Sequence, residues 1–124
     1  MTDALTLTVQ RTEGPLVLVA TAGEIDVDSA PALRTGALRL IAQGHPYLIL
    51  DLEQVTFCDS SGFNALIGIM RCAKDAGGSL TLAATPGRLA RMLDLTGLST
   101  LMPSYSSAAD ALGAHAATGK SVTP

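Results

Sequence analysis

Tryptophan is absent from this 124-residue chain and Phe and Tyr occur only twice each, so aromatics supply just 3% of the residues. Aliphatic side chains must therefore fill the core. Charge is also sparse. Charged residues are 15% of the chain, eight Lys and Arg stand against eleven Asp and Glu, and the net charge is −3. Without a Lys/Arg cluster the chain cannot displace counterions from a phosphate backbone, so no nucleic-acid partner is expected and a protein partner is. The two cysteines, Cys58 and Cys72, form no CxxC pair, and His45 and His115 lie far apart. This predicts neither a metal site nor a disulfide, and no cofactor is called for. No apolar run approaches the ~20 residues that span a bilayer, and the N-terminus lacks a basic start followed by a hydrophobic stretch. The expected location is the cytoplasm, with no membrane partner.

What is present is an aliphatic, foldable chain, 48% hydrophobic, of the length of one domain. Leu5, Leu7 and Val9 alternate with Thr6, Thr8 and Gln10, the period of a half-buried edge strand. Residues 11–15 (RTEGP) supply a turn, and Leu16 to Ala22 reads as a second, more buried strand in a hairpin with the first. After Gly23-Glu24-Ile25-Asp26, caps at Asp28 and Ser29 and Pro31 in the first turn open a helix from about Ala30 to Gln43. Gly44 ends it. Tyr47 to Leu52 (YLILDL) is an apolar run of the kind buried on both faces of a parallel sheet, and residues 53–57 (EQVTF) read as a loop after it. A second helix runs from Ser60 to about Ala76. A strand at Ser79 to Ala84, a helix from Arg88 to Leu95, a short strand within Leu101 to Tyr105 and a last helix through Leu112 complete the order. The domain is expected over residues 1–113, with residues 114–124 a disordered tail.

Strands alternating with helices imply right-handed crossovers and a parallel sheet carrying one antiparallel strand on its N-terminal side. The fold class is α/β, a mixed sheet of four or five strands with helices mainly on one face. In such a sheet the carboxyl end of the central strand delivers Asp59-Ser60-Ser61-Gly62 to one edge, directly before the helical FNALIGIMRCA. A serine there stands beside free backbone N–H groups and the positive end of the helix dipole. Ser60 or Ser61 would cap that helix, and capping alone could explain the pair. Glu24 and Asp26 could likewise be no more than the polar end of a strand.

The stretch FCDSSGF resembles the phosphorylation-site motif of bacterial anti-sigma-factor antagonists, small STAS-domain proteins, and GEID is similar to their acidic GELD or GEID tip. The resemblance covers roughly Leu5 to Leu112 in layout, but only these two motifs are specific. It implies that Ser60 is the phosphoacceptor, with Ser61 second choice. It also implies that Glu24, Asp26, Asp59, Ser60, Ser61, Gly62 and Phe63 form the partner surface. Asp59 would orient the hydroxyl or the partner, and Gly62 would permit close backbone approach. The implied partner is an anti-sigma factor that is also a serine kinase, bound when Ser60 is unphosphorylated and released afterwards, with a serine phosphatase resetting the switch. ATP and magnesium would belong to the kinase.

Two positions depart from the usual pattern: Cys58 stands where Met, Leu or Ile is common, and Phe63 where Leu is. Cys58 reads either as a small buried hydrophobe or as a redox sensor beside the switch. The chain is not expected to be an enzyme. A serine hydrolase would need a base, yet no GxSxG elbow is present and nothing marks His45 or His115 for that role. The alternative from another class is a STAS scaffold or sensor module that is never phosphorylated.

Overall fold

A computed structural model describes the backbone of residues 5–122 and the side chains of residues 5–115. Five strands form one sheet in the order β1 (Thr6–Glu13), β2 (Leu16–Ile25), β3 (Tyr47–Cys58), β4 (Ser79–Ala83) and β5 (Ser104–Tyr105). The β1–β2 pair is antiparallel, and every later pair is parallel. Because the sheet grows steadily in one direction, the three crossover helices can all lie on one face under the right-handed rule. They do. Leu33, Ala37 and Ile41 of α1 (Ala30–Ala42), Leu66, Ile69 and Ala73 of α2 (Ser60–Asp75), and Leu89 and Leu93 of α3 (Gly87–Thr96) share one core with Val17, Val19, Leu48, Leu50, Leu80 and Leu82.

The alternate residues of the same strands face the other way. Leu16, Leu18, Ile49 and Ala83 form a smaller core covered by Ala111 of α4 (Ala108–Val122), with Tyr47, Tyr105 and Leu112 packed at its margin. Strands β2, β3 and β4 are thus covered on both faces, which is why they read as unbroken apolar runs. Met102 is fully buried, whereas Leu101 is exposed.

Four details differ from the sequence pattern. Residues 53–57 are strand rather than loop: β3 runs twelve residues to Cys58, since Val55, Thr56 and Phe57 are strand formers and Val55 finds a buried slot. The hairpin turn is only Gly14 and Pro15, with Glu13 opposite Leu16 and Gly14 at φ +57°. The helix-start serines also change roles, as set out below. Finally, α4 continues past Gly113 to Val122. A solvent-facing glycine costs a helix only about 1 kcal/mol, and the alanines that follow favour continuation. The short helix η1 (Leu98–Thr100) and Gly97, at φ +77°, close α3 where the sequence places its stop.

Candidate functional site

The sheet is not of uniform height. Strand β4 ends at Ala83, opposite Asp51 of β3, whereas β2 and β3 stay paired for seven more residues of β3, to Ile25 opposite Cys58. Strand β1 accompanies β2 only as far as Thr6 opposite Ala22, so from Gly23 and Val55 onward a two-stranded ribbon projects past the rest of the sheet. Two register shifts between β2 and β3, between Ala20 and Ala22 at its base and between Gly23 and Glu24 within it, lie where the strand is re-aimed. Its tip carries the GEID and DSSG motifs together. The backbone N–H of Asp59 donates to the carbonyl of Ile25 at 3.1 Å, which fixes Glu24–Asp26 beside Asp59–Ser60.

At this tip the chain turns from strand into α2. Asp59 has extended backbone angles (φ −98°, ψ −168°), and its carboxylate Oδ1 accepts from the N–H groups of Ser61 at 2.8 Å and Gly62 at 3.2 Å. Asp59 is thus the N-cap. Ser60 and Ser61 occupy the first two helical positions instead of capping, and an aspartate already at the preceding position does that work better. In consequence the Ser60 hydroxyl is exposed and has no hydrogen-bond partner among the described residues. Ser61 is half-buried.

Gly62 is buried under the first turn. A Cβ placed there would lie 2.6 Å from Cys58 Sγ and 2.6 Å from Ile25 Cγ2, closer than real Cβ contacts come. The close approach inferred for this glycine is therefore between α2 and the ribbon. Beneath it, Cys58 donates weakly to the carbonyl of its neighbour Asp59 at 3.7 Å. Burial, reinforced by the Asp59 carboxylate, pushes the Cys58 thiol up to about 11. A thiol held protonated is a poor nucleophile, which favours the reading of Cys58 as a small hydrophobe over that of a redox sensor.

The acidic tip is more committed than its sequence suggests. Asp26 Oδ1 accepts from the N–H groups of Asp28 and Ser29, both at 3.0 Å, and the Asp26 N–H donates to Ser29 Oγ at 2.9 Å. The Ser29 hydroxyl in turn donates to the Glu24 carbonyl at 2.6 Å. This reciprocal Asp26–Ser29 pair resembles a capping box, and it sets the entry to α1. Ser29 therefore makes no side-chain cap bond into α1 itself. The Glu24 side chain is exposed, Phe63 is half-buried against the helix-side core, and Val27 (69% exposed) and Phe57 (44%) leave apolar surface at the same tip. Sequence reasoning missed Val27 and Phe57. Phe57 would have shown itself had the strand pattern been carried through Val55.

The histidines lie elsewhere. His45 Nδ1 is 2.8 Å from the Gly14 carbonyl at the hairpin turn, the opposite end of the β2–β3 pair, and His115 meets the ring of Tyr47 edge-on at 5.4 Å. Ten strand residues, roughly 30 Å, separate the His45 end from the tip. Neither histidine is therefore within reach of Ser60 to serve as its base. Among the described residues no three His, Cys, Asp or Glu converge to hold a metal ion, and no helix is long and apolar enough to cross a membrane.

The family model for the STAS domain matches residues 6–111. The anti-sigma-B factor antagonist of Bacillus subtilis is 41% identical over 86 residues, covering 69% of this chain and 78% of that protein. The anti-sigma F factor antagonist of Paenibacillus polymyxa is 27% identical over 98 residues, covering 78% and 84%. Among solved structures, an anti-sigma factor antagonist from Mycobacterium paratuberculosis superposes with a TM-score of 0.77 at 32% identity, covering 90% of this chain and 93% of that one.

Proposed function

The chain belongs to the STAS domain family, and from that premise we propose that it is an anti-sigma-factor antagonist switched by phosphorylation of Ser60. In its unmodified form it binds an anti-sigma factor with serine kinase activity and so frees the sigma factor. Phosphoryl transfer from the ATP of that kinase to Ser60 Oγ breaks the complex, and a serine phosphatase restores it. The observation that carries this reading is the exposed Ser60 hydroxyl on the first turn of α2, left unbonded because Asp59 holds the cap.

The electrostatics support release without unfolding. Phosphorylation adds about −1.5 to −2 charge and three acceptor oxygens. On the domain itself that charge stands at the positive end of the α2 dipole, which favours an anion. Against a partner, the same charge must be desolvated at a tip that already carries Asp59 and Glu24, and an unpaired buried charge costs several kcal/mol. The kinase surface therefore rejects the product it makes. Asp59, Ser61, Phe63, Glu24 and Asp26 serve as the contact surface, with Asp26 acting chiefly through the loop it holds, Gly62 acting from beneath by seating α2 on the ribbon, and Val27 and Phe57 adding apolar area. The test is intact-mass analysis with site mapping after incubation with ATP, magnesium and candidate anti-sigma kinases from the same genome, alongside Ser60→Ala. One phosphate at Ser60 with loss of kinase binding is expected. Kinases that bind yet never modify Ser60 would refute the switch and leave a scaffold module.

A further inference from the structure

Below Ser60, a cleft of about 530 Å³ runs between α1 and α2. It is lined by Arg34 of α1 and by Asn64, Ile67, Gly68, Arg71, Cys72 and Asp75 of α2. At 100° per residue, Ser60 and these α2 residues fall within an arc of about 140°, so the cleft floor is the outer helical face that begins at Ser60. Arg71 lies about 16 Å down the helix from Ser60.

The two arginines are uncommitted. Neither guanidinium has a hydrogen-bond or ion-pair partner among the described residues, where the salt bridge Arg11–Glu13 is the one present. Arg34 is exposed, and its side chain reaches across to α2. Its guanidinium lies over Gly68, where a Cβ would sit 3.2 Å from Cζ, 3.2 Å from Nη1 and 3.6 Å from Nη2. The missing side chain at Gly68 is the notch that admits this flat group. A planar fork carrying unused donors is the arrangement that recognises a carboxylate, and Asn64 adds an amide to the same cleft. Asp75 closes the lower end with one opposing charge, leaving the cleft net positive on a chain of net charge −3.

We propose that this cleft is a second docking site, into which an acidic segment of the anti-sigma partner lays its carboxylates against Arg34 and Arg71. The inference rests on the partner reading given above and adds to it the chemistry of the partner. The interface is then continuous from the tip down α2, with an acidic end that phosphorylation makes more so and a basic cleft that it leaves unchanged. The two parts are farther apart than the 7–10 Å within which substitutions couple, so their effects multiply in Kd.

The test measures, by calorimetry at low and raised salt, the affinity of the full chain for the anti-sigma factor that the wild type binds. Arg34→Glu and Arg71→Glu should each weaken binding at least tenfold and flatten its salt dependence. Asp75→Asn should tighten it, and Ser60→Asp combined with Arg71→Glu should give the product of the two single effects. Thermal melts show whether each variant folds, and Arg34→Gln and Arg71→Gln replace any glutamate variant that does not. Wild-type affinity in the folded arginine variants, or weakening by Asp75→Asn equal to theirs, overturns the docking site while leaving the Ser60 switch standing if Ser60→Asp still weakens binding. A wild-type chain that binds no anti-sigma factor overturns both.

Discussion

Asp59 does two things that a pair of substitutions can separate. Its Oδ1 satisfies two otherwise free N–H groups at the start of α2, and its charge stands at the positive end of the helix. Replacing it with Ala removes both, and loss of an aspartate cap costs roughly 1–2 kcal/mol. Asn keeps the acceptor oxygen in the same place and gives up only the charge–dipole part, roughly 0.3–1 kcal/mol. At about 2.1 cal/mol/K per residue, unfolding this chain carries an entropy near 260 cal/mol/K, so each kcal/mol moves Tm by about 4 °C. Asp59→Ala should therefore melt about 4–8 °C below wild type, and Asp59→Asn no more than half as far. Calorimetric or circular-dichroism melts at neutral pH measure this. Equal losses in the two variants, or none in either, would refute the assignment of Asp59 as the cap and with it the account of why Ser60 is free. Phosphorylation rates then read the remaining role: Asn, with the turn intact, should keep Ser60 in place for the kinase, and Ala should not.

Gly62→Ala puts a methyl 2.6 Å from Cys58 Sγ and Ile25 Cγ2, so the first turn of α2 must move; overpacking of this kind costs about 1–3 kcal/mol, read as a lower Tm together with slower modification of Ser60. Cys58, pushed up to about 11 from 9.0, should be alkylated by iodoacetamide at pH 8 about a hundredfold more slowly than an unperturbed thiol, and Asp59→Asn should speed it by removing the lesser cause. The sign for stability follows: the folded thiol holds its proton more tightly than the unfolded one, so its contribution is complete below pH 9 and is lost as pH rises towards 11. Cys58→Ala should remove that part of the alkaline decline in a pH series of melts. Thr21, wholly buried in β2, leaves its Oγ1 without a partner among the described residues, so Thr21→Val should raise Tm by about 4 °C, the effect of about 1 kcal/mol. An unchanged or lower Tm would mean that the hydroxyl is satisfied.

Sequence carried the layout well where a periodicity was long and its endpoint chemically marked. Pro31 and Gly44 bracketed α1, Gly77 and Gly78 followed α2, and the apolar run of Tyr47 to Leu52 announced a strand buried on both faces. It failed where a tertiary partner decides. Residues 53–57 carry three polar residues and a single buried Val, a pattern that reads as loop until the paired end of β2 is there to hold it. Local chemistry also hid the cap: Asp, Ser and Ser all favour that position, and only the extended backbone at Asp59 selects among them. Arg34 and Arg71 were invisible because they lie 37 positions apart, and only the packing of α1 on α2 brings them into one cleft.

That packing also gives the glycines of α2 their meaning. A glycine inside a helix costs up to about 1 kcal/mol relative to alanine, so two of them at Gly62 and Gly68 are a burden unless each answers a steric demand. Gly62 does so on the buried side, where α2 must press onto the ribbon end for Asp59 to reach its N–H groups. Gly68 does so on the outer side, where the Arg34 guanidinium needs a flat seat. The two substitutions should therefore part company. Gly68→Ala meets only the far end of a flexible side chain and should leave the fold as stable as wild type or slightly more so, while displacing Arg34 from the cleft. A melt at or above that of wild type, together with weakened binding to the anti-sigma factor, is the expected pair of results. Gly62→Ala should lose on both counts. If Gly68→Ala binds as tightly as wild type, Arg34 does not need its seat, and the notch is an accident of packing rather than part of an interface.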